Sequence, residues 1–139
     1  MPARITLDHA TIITDNFEAS RPVYDAVLGA LVMTASVDYI DPEGDEQDTG
    51  TVAAIGYATP GAPPLLWLVA GLTATSGAHV AFAVTDRSLV TAAHSAAVAA
   101  GARVVQPPRE WEARQLDYFG VQFADPAGNL IEVVHRRLS

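Results

Sequence analysis

The sequence predicts an α+β fold made of two tandem βαβββ modules that form a curved mixed sheet around a cavity. Two observations predict it. The order strand, helix, strand, strand, strand is written twice along 139 residues. A constant offset of 70 also pairs His9 with His79, Asn16 with Asp86, Tyr24 with His94 and Leu28 with Val98. One such unit covers one face of its sheet with a helix, so the other face needs a partner sheet. Two units in pseudo-symmetry then enclose a concave space of the kind in which ligands bind. The chain reads as a single domain over 1–139, with module one at about 3–72 and module two at about 77–137.

In the first module, Arg4 to Thr14 alternates as a strand, with Ile5, Leu7, His9, Thr11 and Ile13 on one face. Ser20 is placed to cap a helix through Leu28, with Pro22 in its first turn and Tyr24, Val27 and Leu28 as its apolar stripe. Leu31 to Tyr39, Thr51 to Ala58 and Leu65 to Ala70 supply three further strands, the last two joined by the turn-rich Pro60-Gly61-Ala62-Pro63-Pro64.

The second module repeats the order. Ala78 to Thr85 is a strand with bulky Val80, Phe82 and Val84 on one face and His79, Ala81 and Ala83 on the other. Asp86 caps a helix whose stripe is Val90, Ala93, His94, Ala97 and Val98, ended by Gly101. Arg103 to Gln106 is a short strand, and Pro107 to Leu116 reads as a polar loop. Tyr118 to Ala124 and Leu130 to Arg136 make a hairpin around Asp125-Pro126-Ala127-Gly128-Asn129.

Composition narrows the function. A formal charge of −8 argues against a nucleic-acid partner, which needs clustered cations. No apolar run approaches the roughly 20 residues of a membrane span. The start, Met1-Pro2-Ala3-Arg4, lacks the layout of a signal peptide, so the expected location is the cytoplasm. There is no cysteine, hence neither a disulfide framework nor a thiolate metal site. The acidic stretch Asp41 to Asp48 does not follow the ligand order of a calcium loop and reads as a solvated loop.

Three residues stand out by position. His9 and His79 occupy equivalent places on the first strand of each repeat, and Glu132 lies inside the apolar run Leu130-Ile131-Glu132-Val133-Val134. A lone strand histidine is usually a hydrogen-bonded structural residue. A carboxylate in an apolar run is harder to dismiss, because burying it is costly unless it is paired, protonated or bound to a cation. Two symmetric histidines and an inward carboxylate are the facial set that binds iron(II), manganese or zinc with open positions. His135 is out of phase with Glu132, and His94 reads as a helix-packing residue. Tyr118 and Gln122 share one strand face and are candidates for the pocket wall, while Phe119, Val121 and Phe123 face the helix-packed core. Trp111 and Arg114 sit where they could cover the cavity. Arg114 would suit an anionic substrate, although an exposed loop arginine needs no such role.

Four segments carry a family resemblance: Leu7-Asp8-His9, the helix run Ser20 to Leu28, Ala78-His79-Val80-Ala81-Phe82, and Phe123 to Val134 with its Asp-Pro-Ala-Gly-Asn turn. Together they resemble the vicinal oxygen chelate superfamily, which holds glyoxalases, bleomycin-resistance proteins and extradiol dioxygenases. The resemblance spans nearly the whole chain, and its closing segment is the most specific. It implies paired βαβββ modules, a homodimer and a divalent metal ion (iron, manganese, zinc or nickel). That ion would chelate two oxygens of a small substrate or stabilise an enolate-like intermediate. His9, His79 and Glu132 match three of the family's ligand positions. The fourth falls on Leu65-Leu66-Trp67-Leu68-Val69, which has no ligand. Trp67 would present an apolar plate to the cavity if it points inward, and ordinary core packing is the other option. The function the resemblance implies is a divalent-metal enzyme acting on a small oxygen-rich metabolite. A metal-free binding protein of the bleomycin-resistance type is the alternative.

Overall fold

A computed structural model describes residues 3–38, 54–111 and 118–136. The acidic stretch, Tyr39, the start of the expected third strand and Arg114 lie outside these residues. Two four-stranded mixed sheets and two helices follow one another as two βαβββ modules, confirming the predicted repeat. In module one, β1 (Ala10–Thr14), α1 (Phe17–Ala30), β2 (Thr34–Asp38), β3 (Ala54–Ala58) and β4 (Leu66–Ala70) form a sheet in the order β1-β4-β3-β2. In module two, β5 (His79–Val84), α2 (Arg87–Ala99), β6 (Arg103–Glu110), β7 (Tyr118–Ala124) and β8 (Leu130–Arg136) form the order β5-β8-β7-β6. In each, the first strand runs parallel to the last and the other pairings are antiparallel. The two sheets remain separate and do not close into a barrel.

One apolar core serves both modules. Val23, Tyr24, Val27 and Leu28 of α1 and Val90, Ala93 and Ala97 of α2 are buried against Ile12, Ile55, Leu66, Leu68, Val121, Phe123, Ile131 and Val133 of the sheets. Each helix thus covers one face of its sheet, which in module two is the face opposite His79. His94 and Val98, expected in the α2 stripe, are not in the core: His94 is half-buried and Val98 exposed.

Three element boundaries differ from the sequence expectation, each for a local reason. The first strand begins at Ala10 and not at Arg4, and residues 3–9 run exposed outside the sheet. Its ladder partner β4 is preceded by Pro63 and Pro64, which have no N–H to extend a parallel ladder. The first helix starts one turn early because Asn16, not Ser20, is its cap, accepting from the Ala19 N–H at 3.2 Å. Ser20 instead faces inward, with its hydroxyl 2.8 Å from that of Thr14, and Pro22 falls in the helix body, where it offers no N–H to the Glu18 carbonyl. The sixth strand runs on through Pro107 and Pro108 to Glu110. It is an edge strand with two register shifts, after Val104 and after Gln106, so the prolines break no interior ladder.

The two helix ends show a contrast. Gly101 closes α2 at φ 77°, a left-handed conformation glycine adopts freely. The corresponding residue after α1 is Val32, at φ 63° and exposed. A β-branched side chain there is strained. Val32→Gly should therefore raise the unfolding free energy by about 1 kcal/mol. A urea melt reads this as a higher midpoint; an unchanged or lower midpoint would show that the turn stores no strain.

Candidate functional site

Glu132 is the centre of the best-formed polar cluster on the sheet face away from α2. It lies on β8, is fully buried, and sits directly across from Gln122 of β7 and Ala81 of β5. Tyr118 Oη donates to Oε2 at 2.5 Å, and Gln122 Nε2 donates to Oε1 at 3.2 Å. His79 Nε2 lies 2.8 Å from the same Oε1, and an ionised carboxylate can only accept, so the imidazole is the donor. Burial alone would raise the Glu132 carboxyl, but the hydrogen bonds from Tyr118, His79 and Gln122 outweigh it and hold the group below the ordinary carboxylate range. Gly120 makes room for this arrangement: a Cβ there would lie 3.3 Å from Glu132 Oε2 and 3.2 Å from the Val133 carbonyl.

The strand alternation places the remaining candidates. Leu66 and Leu68 point into the core, so Trp67 takes the opposite face of β4. Its ring lies over Gly56, where a Cβ would come within 2.9 Å of Cη2 and Cζ3. Phe119, Val121 and Phe123 face the core as expected. His135 shares their face, beside Val84 and Phe119. Trp111 donates its backbone N–H to the Tyr118 carbonyl at 2.8 Å, and the Arg109 guanidinium lies 4.4 Å from its ring centroid.

His9 does not join His79 and Glu132. It is about half exposed, and its Nδ1 lies 2.6 Å from Asp8 Oδ1. Among the described residues, no three His, Cys, Asp or Glu side chains come together to hold a metal ion. Of the three residues in the expected set, only His79 and Glu132 come together within one chain. His9 instead borders a hollow of about 210 Å³ between Leu65 and β5, and Ala81 and Ala83 form part of its wall. The same two alanines line a larger cavity of about 390 Å³ with Val84, Val134, Tyr118 and Arg136. Arg136 is a site residue the sequence reading missed. Its signal was there, because it stands four residues beyond Glu132 on the same strand face.

Comparison with known proteins decides the family. The family model of the Glyoxalase/Bleomycin resistance protein/Dioxygenase superfamily matches residues 6–133. The chain belongs to this superfamily. No curated protein matches the sequence. Solved structures share the fold at low identity. A glyoxalase/bleomycin resistance protein from Albidiferax ferrireducens is 23% identical with a TM-score of 0.69, the match covering 94% of this chain and 98% of that one. A glyoxylase/bleomycin resistance protein/dioxygenase domain from Frankia is 14% identical with a TM-score of 0.67, over 97% and 94%. The fosfomycin resistance protein FosX from Mesorhizobium loti is 17% identical with a TM-score of 0.59, over 99% and 96%. Among the described residues, no helix is long and apolar enough to cross a membrane.

Proposed function

We propose that this protein is a divalent-metal enzyme of the glyoxalase and dioxygenase type, acting as a homodimer on a small oxygen-rich metabolite. The observation that carries the proposal is Glu132: a fully buried carboxylate whose contacting partners include an exposed-side imidazole only 2.8 Å away. His79 Nε2 and Glu132 Oε1 are the two donors one chain offers to an ion, and an ion between them would displace their mutual hydrogen bond. The third donor is His9 from a second copy. Its exposure, and that of Ile5 and Leu7 beside it, leaves this segment free to be covered by another chain. A bound divalent ion would polarise substrate oxygens. Tyr118 and Gln122 fix the carboxylate rotamer and supply hydrogen-bond donors around it.

Complementation tests the shared site. Manganese or zinc titration should show stoichiometric binding to the native protein and none to His9→Ala or His79→Ala. In an equimolar mixture of the two variants, heterodimers carry one intact site each, so roughly a quarter of the native capacity should return. No recovery on mixing, with both variants dimeric, would place all ligands in one chain or remove His9 from the set. One observation favours a metal-free binding protein instead: Glu132 is already satisfied by three hydrogen bonds. Elemental analysis of protein purified without chelator separates the two, since stoichiometric metal supports the enzyme and none supports the binding protein.

A further inference from the structure

We infer that the cavity beside Glu132 takes a small amphipathic anion, with an apolar body on β5 and β8 and a carboxylate or phosphonate head on Arg136. At about 390 Å³ the cavity is at the scale of small-molecule pockets. Its floor is Ala81 and Ala83 of β5 and Val134 of β8, small or aliphatic side chains that leave an open apolar surface. Ala83 and Val134 are ladder partners, so this floor is continuous across the two strands. At its rim stands Arg136, opposite Tyr118 in the β7–β8 register, with its guanidinium 5.4 Å from that ring centroid.

The state of Arg136 sets the charge of the ligand. Arg21 is paired with Asp25 and Arg87 with Glu110, while Arg4, Arg103, Arg109 and Arg136 have no carboxylate partner among the described residues; of these four, Arg136 is the one that lines the cavity. A guanidinium held by an aromatic face presents its planar fork outward, the geometry that receives a carboxylate or phosphonate in two parallel hydrogen bonds. The Tyr118 hydroxyl is committed to Glu132, and that buried negative charge keeps a ligand's anionic head at the Arg136 end and its apolar body over the alanines. The site so described lies next to the proposed metal pair and names the ligand class of that centre, but its recognition does not require the ion.

Calorimetric titration with benzoate and phenylphosphonate, against neutral benzamide, tests the inference on chelator-treated protein and again with added manganese. The anions should bind and benzamide should not. Arg136→Gln should weaken anion binding roughly 10- to 100-fold, the range for loss of charge-assisted hydrogen bonds. Ala83→Leu, at an exposed position where bulk does not disturb the core, should block the apolar floor and abolish binding while Arg136 remains. Equal binding of benzamide and benzoate, or anion binding untouched by both substitutions, overturns the inference. Metal binding without Arg136-dependent anion binding would sink the pocket and leave the metal centre standing. Arg136-dependent binding by metal-free protein would establish the pocket whatever the fate of the metal.

Discussion

Asp125→Ala should be the most destabilising single polar substitution in this protein, costing about 3–5 kcal/mol. The aspartate is buried at the head of the β7–β8 turn, where it receives four hydrogen bonds. Tyr24 Oη donates at 2.6 Å, the Asn129 N–H and side-chain amide each at 2.8 Å, and the Ala127 N–H at 3.0 Å. The phenol comes from α1, a hundred residues earlier in the chain, so this turn ties the two modules together. Asn129 extends the tie: its amide also donates to the Thr75 carbonyl at 2.7 Å and its oxygen accepts from Ala78 N–H at the start of β5. Thr75 in turn exchanges hydrogen bonds with Ile13 of β1, both at 2.8 Å. Removing the carboxylate strands a buried phenol and the Asn129 donors together. The melting temperature should fall by roughly 10–15 °C.

Tyr24→Phe provides the comparison. It removes one donor and leaves Asp125 with the others, so the cost should be only about 1 kcal/mol. Alkaline melts add a second readout. Burial and the Asp125 bond push the Tyr24 phenol far above its usual range, and burial and Asp25 do the same for Tyr57. A raised folded value means that these phenols favour the native state while neutral. Their contribution is complete below the unfolded pKa near 10 and is lost as the pH rises beyond it. Stability should therefore decline above about pH 10, and less steeply in Tyr24→Phe. An Asp125→Ala protein that melts like the native one would show that the turn does not join the modules.

The same turn shows what was legible in the sequence and what was not. Asp125-Pro126-Ala127-Gly128-Asn129 announces a tight turn, and Gly128 does adopt φ 91°. Nothing local says that Asp125 and Asn129 reach α1 and the strand connection, because those contacts join residues 51 to 101 positions apart. Periodicity placed the two modules and the faces of β7 and β8 correctly, since a half-buried strand and an amphipathic helix write their burial directly into the residue order. It overran β1, where the limit came from prolines on another strand, and it cut β6 short, where edge position excused the prolines. In the site, the pairing of His79 with Glu132 followed from phase and symmetry. His9 obeys the same symmetry yet lies apart, because an equivalent position in each repeat does not set how the two sheets face each other.

Glu132→Gln should cut divalent-metal affinity by at least about 100-fold, beyond the loss typical of an outer-shell partner. The substitution removes the charge that makes the His79 pair attractive to a cation and leaves the volume almost unchanged. Its structural cost should be smaller than that of Asp125→Ala, about 1–3 kcal/mol. The new amide oxygen still accepts from Tyr118, and the new NH₂ meets His79 and Gln122, both able to present an acceptor by changing tautomer or flipping the amide. Glu132→Leu separates charge from hydrogen bonding. It abolishes the ligand and also strands the buried Tyr118 hydroxyl and Gln122 amide, so it should bind no metal and melt below Glu132→Gln. Adding Tyr118→Phe and Gln122→Leu to that variant removes the stranded groups and should recover stability without recovering metal. Such a result assigns the cluster to function, because an apolar core of the same shape then folds as well as the polar one. If Glu132→Gln bound manganese or zinc with native affinity, the buried carboxylate would be a structural acceptor, and the metal centre would have to be sought among other side chains.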